Sequence, residues 1–212
     1  MDTYKAIIFD FDGTICDSLE VKEKAFGEVY IKYGQDISRE VMSFHKNNLG
    51  IPRQDKFYHF QKNIVQEDYS LERINELSCI FSEIVKQKVI DANLIEGTLK
   101  FLKENYRKYH LFISSATPQK ELFEIIEKKD LSQFFISISG SPDTKVDHIN
   151  NILAEGYDKK QIIYVGDSLQ DMKAAKEANI DFIGIGDSLF HENILSIANL
   201  ETLSEALLEV KR

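Results

Sequence analysis

Ala6-Ile7-Ile8-Phe9-Asp10-Phe11-Asp12-Gly13-Thr14 sets four consecutive apolar residues directly before two carboxylates and a glycine. An unbroken apolar run that ends in a polar cluster reads as a strand buried on both faces, the strand type of a parallel sheet. Runs of the same kind follow at Leu111-Phe112-Ile113, Phe134 to Ile138, Ile162-Ile163-Tyr164-Val165 and Phe182-Ile183-Gly184-Ile185. Helical spacing lies between them. Leu99, Leu102 and Tyr106 mark one face, and Leu122, Phe123, Ile125 and Ile126 a second. Ile149, Ile152 and Leu153 mark a third, and Met172, Ala175 and Ala178 a fourth that ends near Asn179. Thr202 and Glu205 have the spacing of a capping box opening a last helix. Strand and helix thus alternate from about residue 95 to 212, which predicts a parallel sheet covered on both faces.

Residues 17–92 carry no comparable strand run. Phe26, Val29, Tyr30 and Tyr33 repeat at helical spacing, with Gly34 as a C-cap. Leu71, Ile74, Phe81, Ile84 and Val85 do the same over a longer helix, and Leu49-Gly50-Ile51-Pro52 breaks the pattern between the two. The expected architecture is an α/β fold: a Rossmann-like parallel-sheet core from residues 1–16 and 93–212, with an all-helical cap, residues 17–92, inserted after the first strand.

The composition suits a globular chain of this size: 212 residues, 43% hydrophobic and 29% charged. A net charge of -9 and a pI near 5.1 argue against nucleic-acid backbones and anionic membranes as partners. Cys16 and Cys79 have no metal or redox spacing and read as small buried hydrophobes in a reducing compartment. The apolar run at Ala6–Phe9 is too short for a signal peptide, and no segment nears the roughly 18 apolar residues of a membrane span. The expected location is the cytoplasm. Histidines 45, 59, 110, 148 and 191 show no paired metal spacing and read as exposed or hydrogen-bonded residues.

Four clusters follow or lie between the predicted strands. In open α/β sheets, ligands bind beyond the carboxyl ends of strands. Asp10 and Asp12 come first. A carboxylate can attack phosphorus, and a second one nearby can supply and remove protons. Two carboxylates so close call for a divalent cation, and hard oxygen ligands favour Mg2+. Next are Ser114, Ser115, Ala116 and Thr117, whose hydroxyl and backbone N–H groups suit phosphate oxygens. Lys145 then offers a point charge for phosphoryl oxygens. Asp167 and Asp171, four apart at a helix start, can hold a cation directly or through water. Each cluster alone has an ordinary structural explanation as a turn, a cap or an exposed lysine. Their convergence on one sheet edge does not.

Asp10-Phe11-Asp12-Gly13-Thr14, Ser115, Lys145 and Gly166-Asp167-Ser168-x-x-Asp171 stand in the order of the four motifs of the haloacid dehalogenase-like hydrolases. The sequence resembles that superfamily over nearly the whole core. It looks closest to the phosphoglycolate phosphatase and β-phosphoglucomutase branch, which Asp17-Ser18 and Leu94-Ile95-Glu96-Gly97 also resemble. Glu96 stands where that branch usually has proline. The resemblance implies that Asp10 is the nucleophile and a metal ligand. Asp12 would be the general acid/base and bind the metal through its backbone carbonyl. Asp167 would complete the protein's metal ligands, with Asp171 supporting them. Ser115, the Ala116 N–H and Lys145 would hold the phosphoryl oxygens.

The expected activity is therefore Mg2+-dependent hydrolysis of a small phosphorylated metabolite through an aspartyl-phosphate, by a monomer or a homodimer. Phosphoryl transfer of the β-phosphoglucomutase type and pyrophosphate hydrolysis are the alternatives. Asp12, absent from true dehalogenases, favours phosphoryl chemistry over carbon–halogen cleavage. An intact acid set speaks against a non-catalytic binding module, and a receiver-like signalling domain would not need the helical insertion. A cap that closes over the site would select the substrate. Asn47, Asn48, Arg53 and Lys56 flank the break at Gly50-Ile51-Pro52 and are candidates for substrate contacts.

Overall fold

The computed structural model describes residues 4–186 and 194–210. Six parallel strands form one sheet: β1 (Ala6–Phe9), β2 (His110–Pro118), β3 (Ser137–Ser141), β4 (Ile162–Gly166), β5 (Asp181–Ile185) and β6 (Ser196–Ile197). Their spatial order is β3-β2-β1-β4-β5-β6, so β1 lies between β2 and β4. The chain leaves β1 towards β2 and later returns on its other side to β4. That reversal opens a crevice at the carboxyl edge next to β1.

Side chains of β1 alternate between two cores, as the two-residue strand period requires. Ile7 and Phe9 join Leu111, Ile113, Ile163 and Val165 on one face. Helices α5 (Thr98–Asn105), α6 (Gln119–Lys128) and α9 (Leu203–Val210) cover it with Phe101, Leu122, Ile126 and Leu207. Ala6 and Ile8 join Phe112, Ile162 and Tyr164 on the other. There α7 (Lys145–Ala154) and α8 (Leu169–Ala178) contribute Ile149, Ile152, Ala175 and Ala178. All four β1 side chains are fully buried. At about 1.5–3 kcal/mol for each large apolar side chain, this short strand is a firm anchor for the acidic loop that follows.

The inserted segment is helical: α1 (Leu19–Tyr30), α2 (Gln35–Asn47), α3 (Arg53–His59) and α4 (Leu71–Asp91). Its core is aromatic. Phe26 packs on Phe81 at 4.2 Å between ring centroids and on Phe57 at 5.4 Å, and Tyr30 meets Phe60 edge-on at 5.4 Å. Gly34 ends the turn after α1 with φ +99, as expected of a C-cap. Among the described residues, no helix is long and apolar enough to cross a membrane.

Several expectations need correction. Phe134 to Ile138 is not one strand. Ser132–Phe134 forms a 3-10 turn, Ile136 is exposed, and β3 begins at Ser137. Phe134 instead meets Tyr106 edge-on at 5.5 Å. Leu99, Tyr106, Phe123 and Leu71 face outward, while Phe101, Thr98 and Leu77 fill the buried positions of their helices. Thr202 closes a 3-10 turn, Leu200–Thr202, capped by the Asn199 side chain. Among the described residues, capping boxes pair Thr144 with Asp147 and Ser168 with Asp171. Cys79 lies exposed on α4, while Cys16 is buried.

Candidate active site

Register brings the four clusters level. Phe9 pairs with Ile113 on one side and Val165 on the other, so each chain leaves its strand at the same height. Asp10 continues the line and donates its N–H to the Val165 carbonyl at 2.9 Å. In β2 the pairing with β3 shifts between Ser114 and Pro118, and this irregularity carries Ser115, Ala116 and Thr117 to the edge. Thr144 caps α7, whose first residue is Lys145. Ser168 caps α8, with Asp167 just before it and Asp171 in its first turn. Two glycines permit the approach. A Cβ on Gly13, at φ +81, would lie 2.5 Å from Asp167 Oδ2, and one on Gly166 would lie 2.5 Å from Asp171 Cγ.

Asp10, Asp12, Ser115, Ala116, Lys145 and Asp167 all line one cavity of about 60 Å³ between the sheet edge and the helical segment. Asp171 is fully buried just behind it. Its Oδ1 accepts from Lys145 Nζ at 2.5 Å, and its Oδ2 accepts from the Ser168 N–H and hydroxyl. Lys145 Nζ also stands 3.2 Å from Asp10 Oδ1. Ser115 Oγ accepts the Thr117 N–H at 3.1 Å, which leaves the hydroxyl proton for an oxygen in the cavity.

Burial drives Asp10 up to about 7. Lys145 opposes that shift, while Asp171 and Asp12 add to it. Burial, then Asp10 and Asp171, likewise push Asp167 well above the usual carboxylate range. Burial would strip Lys145 of its proton, but Asp10 and Asp171 outweigh it and hold the ammonium well above its ordinary value. Asp12 differs. Burial would raise it, yet Lys22 and hydrogen bonds from Ser18 and Thr117 keep it below its ordinary value. Lys22 Nζ lies 2.5 Å from Asp12 Oδ2, and Ser18 and Thr117 donate at 2.6 and 3.0 Å. One carboxylate cluster is thus held against its own charge, and the neighbouring carboxylate is held ionised.

The donor set fits a hard divalent cation. Carboxylate oxygens of Asp10, Asp167 and Asp171 all lie within 4.8 Å of one another. Lys145 is the ammonium paired with this cluster, so negative charge remains in excess. Asp10 and Asp167 line the cavity and could touch an ion there, whereas Asp171 lies behind it with both oxygens hydrogen-bonded. The Asp12 carboxylate belongs to the Lys22 group instead.

Arg53 and Lys56 reach the cavity, while Asn47 and Asn48 do not. The Asn side chains donate to the Ser43 and Phe44 carbonyls of their own helix, and the two residues line a separate opening beside Asp167 and Ser168. Arg53 pairs in two-pronged fashion with Glu121 of α6, at 2.9 and 2.5 Å, and Ser82 joins them. Arg53 and Glu121 are 6% and 7% exposed, so this pair ties α3 to the core out of water. Glu121→Ala should leave a buried guanidinium unpaired and cost about 3–5 kcal/mol in chemical denaturation. The double replacement Arg53→Met with Glu121→Leu should recover most of that loss. Equal losses in both variants would mean that the cost does not come from the charge left unpaired.

Sequence reasoning passed over Lys22 and Glu121, gave Thr117 no link to Asp12, and read His45 only as an exposed or hydrogen-bonded histidine. Lys22 carried a faint signal: it lies one helical turn after Ser18, the residue preceding α1, on the helix that leaves the acidic loop. Of the histidines, His148 bridges Ser114 Oγ and the Gly140 carbonyl, His59 stacks on Phe44, and His110 pairs with Tyr157. His45 is buried beside Lys56. His191 lies outside the described residues.

The chain belongs to the haloacid dehalogenase-like hydrolases, whose family model matches residues 7–185. Within that family it resembles the phosphoglycolate phosphatase and β-phosphoglucomutase-like branch. A phosphorylated carbohydrates phosphatase of Thermotoga maritima is 24% identical, with 97% of this chain and 99% of that one covered. The fold matches a β-phosphoglucomutase of Clostridium difficile with a TM-score of 0.79 at 18% identity, covering 99% and 100% of the two chains. It also matches a haloacid dehalogenase-like hydrolase of Bacillus subtilis, solved with magnesium bound, with a TM-score of 0.75 at 17% identity, covering 97% and 99%.

Proposed function

We propose that this protein is a magnesium-dependent phosphatase that hydrolyses a small phosphate monoester by way of a phosphoryl group carried on Asp10. The observation that carries the reading is Lys145 set between Asp10 and Asp171, with Asp167 against them and Asp12 facing the same cavity. In the first step an Asp10 oxygen attacks phosphorus. The bond to the leaving oxygen breaks, its electron pair stays on that oxygen, and Asp12 delivers a proton there. In the second step water attacks the Asp10 acyl-phosphate and gives its proton to Asp12. Phosphate departs and the Asp10 carboxylate returns. Ser115, the Ala116 N–H and Lys145 hold the non-bridging oxygens, where negative charge must be offset.

A bound magnesium ion would neutralise the acidic cluster and draw the phosphoryl oxygens towards Asp10. Asp10, Asp167 and the Asp12 carbonyl are the groups proposed to hold it. The magnesium in the Bacillus relative supports this reading. At rest Lys22 holds Asp12 ionised, so Asp12 has to take up a proton from water as the arriving substrate loosens that pair, before the first step. Residues 17–92 act as the cap in this scheme, shutting out bulk water and large substrates. The reaction is placed in the cytoplasm, where Cys16 and Cys79 stay reduced.

The fold shared with a β-phosphoglucomutase keeps return of the phosphoryl group to a sugar as the second reading. The test is phosphate release from a panel of phosphate esters and pyrophosphate, with magnesium and with chelator. Release that needs magnesium and stops on chelation is the expected result. Release that persists in chelator would overturn the metal dependence. Conversion of β-glucose 1-phosphate to glucose 6-phosphate without free phosphate would favour the mutase.

A further inference from the structure

Four cations line the cavity: Lys22, Arg53, Lys56 and Lys145. Three have carboxylate partners. Lys22 pairs with Asp12, Arg53 with Glu121, and Lys145 with Asp10 and Asp171. Lys56 has no carboxylate within ion-pair distance among the described residues, although it is 3% exposed. Its hydrogen-bond partner is His45 Nδ1 at 2.9 Å. With Lys56 protonated, as an anion beside it would hold it, the ammonium can only donate, so Nδ1 accepts and the ring proton sits on Nε2. That nitrogen is buried and makes no hydrogen bond in the structure.

We propose that Lys56 and His45 form an anion subsite on the cap side of the cavity, which takes a carboxylate carried by the substrate's leaving group. This deepens the phosphatase reading and rests on it. The phosphoryl group is assigned to Ser115, Ala116 and Lys145 at the sheet edge, so the cap-side cation remains for the far end of the same molecule. A sugar hydroxyl could accept a hydrogen bond there but would leave the buried charge uncompensated, whereas a carboxylate supplies the missing partner.

The surroundings support the assignment. Burial, then Lys22, press the Lys56 amine down to about 7. Lys145 acts in the same direction and Asp12 opposes it, and a docked anion would reverse the shift. Burial and Lys56 push His45 down to about 3, so its ring is neutral with one proton to donate. Phe26 walls both groups, 4.8 Å from the His45 ring centroid and 5.7 Å from Lys56 Nζ. Lys56 and the sheet-edge groups line the same small cavity, about 60 Å³, which suits a short chain between them. The substrate class is therefore a short phosphorylated hydroxy acid.

The test is calorimetric titration, with magnesium, of three phosphonates that cannot be hydrolysed. 3-Phosphonopropionate carries the carboxylate, n-propylphosphonate has a neutral tail, and propane-1,3-diphosphonate carries a second phosphorus acid. The wild-type protein should bind 3-phosphonopropionate at least about tenfold tighter than n-propylphosphonate. In Lys56→Met that ratio should fall to about threefold or less, and in His45→Phe it should fall part of the way. Lys56→Gln serves if the methionine variant does not fold. Equal wild-type affinities, no binding of 3-phosphonopropionate, or a preference that survives loss of Lys56 would overturn the subsite. Tighter Lys56-dependent binding of the diphosphonate would overturn the carboxylate assignment. None of these readings needs turnover, so failure of the phosphatase reading would show separately, as no phosphate release from any ester.

Discussion

Asp10→Asn is expected to abolish phosphate release and leave the protein folded. An amide oxygen is a poor nucleophile towards phosphorus, and the covalent route needs the carboxylate. The expected loss in kcat is roughly 10⁴-fold or more. Stability should hold, because Lys145 keeps Asp171 at 2.5 Å when Asp10 loses its charge. The buried cluster also sheds the Asp10 repulsion that adds to burial in raising Asp167 above the usual carboxylate range. Phosphate release and a thermal melt on the same preparation check both halves. Turnover within tenfold of wild type would remove Asp10 as the nucleophile.

Asp12→Asn should slow both chemical steps by about 10²–10⁴-fold, the ordinary contribution of a positioned acid/base. The geometry makes the substitution informative. Asparagine is isosteric but has one acceptor oxygen, so it keeps either the Ser18 contact or the Thr117 and Lys22 contacts, and it cannot offset the Lys22 charge 2.5 Å away. The variant thus loses proton transfer with little change of shape. Esters with good leaving groups need no proton in the first step, so they should suffer less there. Trapped Asp10 phosphate should then accumulate, visible as a mass increase on rapid acid quench. A tenfold effect or less across leaving groups would argue against this role for Asp12.

The core and its edge were legible in the sequence because local signals and the fold agree there. Ala6–Phe9 is a buried strand by its unbroken apolar run, and β4 and β5 fall where their runs predict. Asn179 takes the left-handed conformation that stops α8, at φ +58. The misses have physical causes. In α2 the buried residues are Ser38, Val41 and His45, a face with one aliphatic residue that leaves little periodic signal. Helix α3 spans Arg53–His59 and runs into a π-helical turn over Phe60–Val65, with no side-chain cap to announce it. Strand β3, Ser-Ile-Ser-Gly-Ser, is a half-buried edge strand of mostly polar residues, while the apolar run before it makes a turn.

The sequence by itself determined the parallel sheet, the helical insertion after its first strand, and the acids, hydroxyl and lysine that the edge would collect. These follow from periodicity and from the rule that loops after parallel strands share one edge, so they need no knowledge of distant contacts. Tertiary structure decided which charges meet. Lys22 holds the Asp12 carboxylate, Glu121 takes Arg53, and Lys56 is left with a histidine. Pairing in a buried pocket depends on ångström distances between segments as far apart as the 68 residues from Arg53 to Glu121, and on how much water each group has lost. No spacing along the chain carries that information.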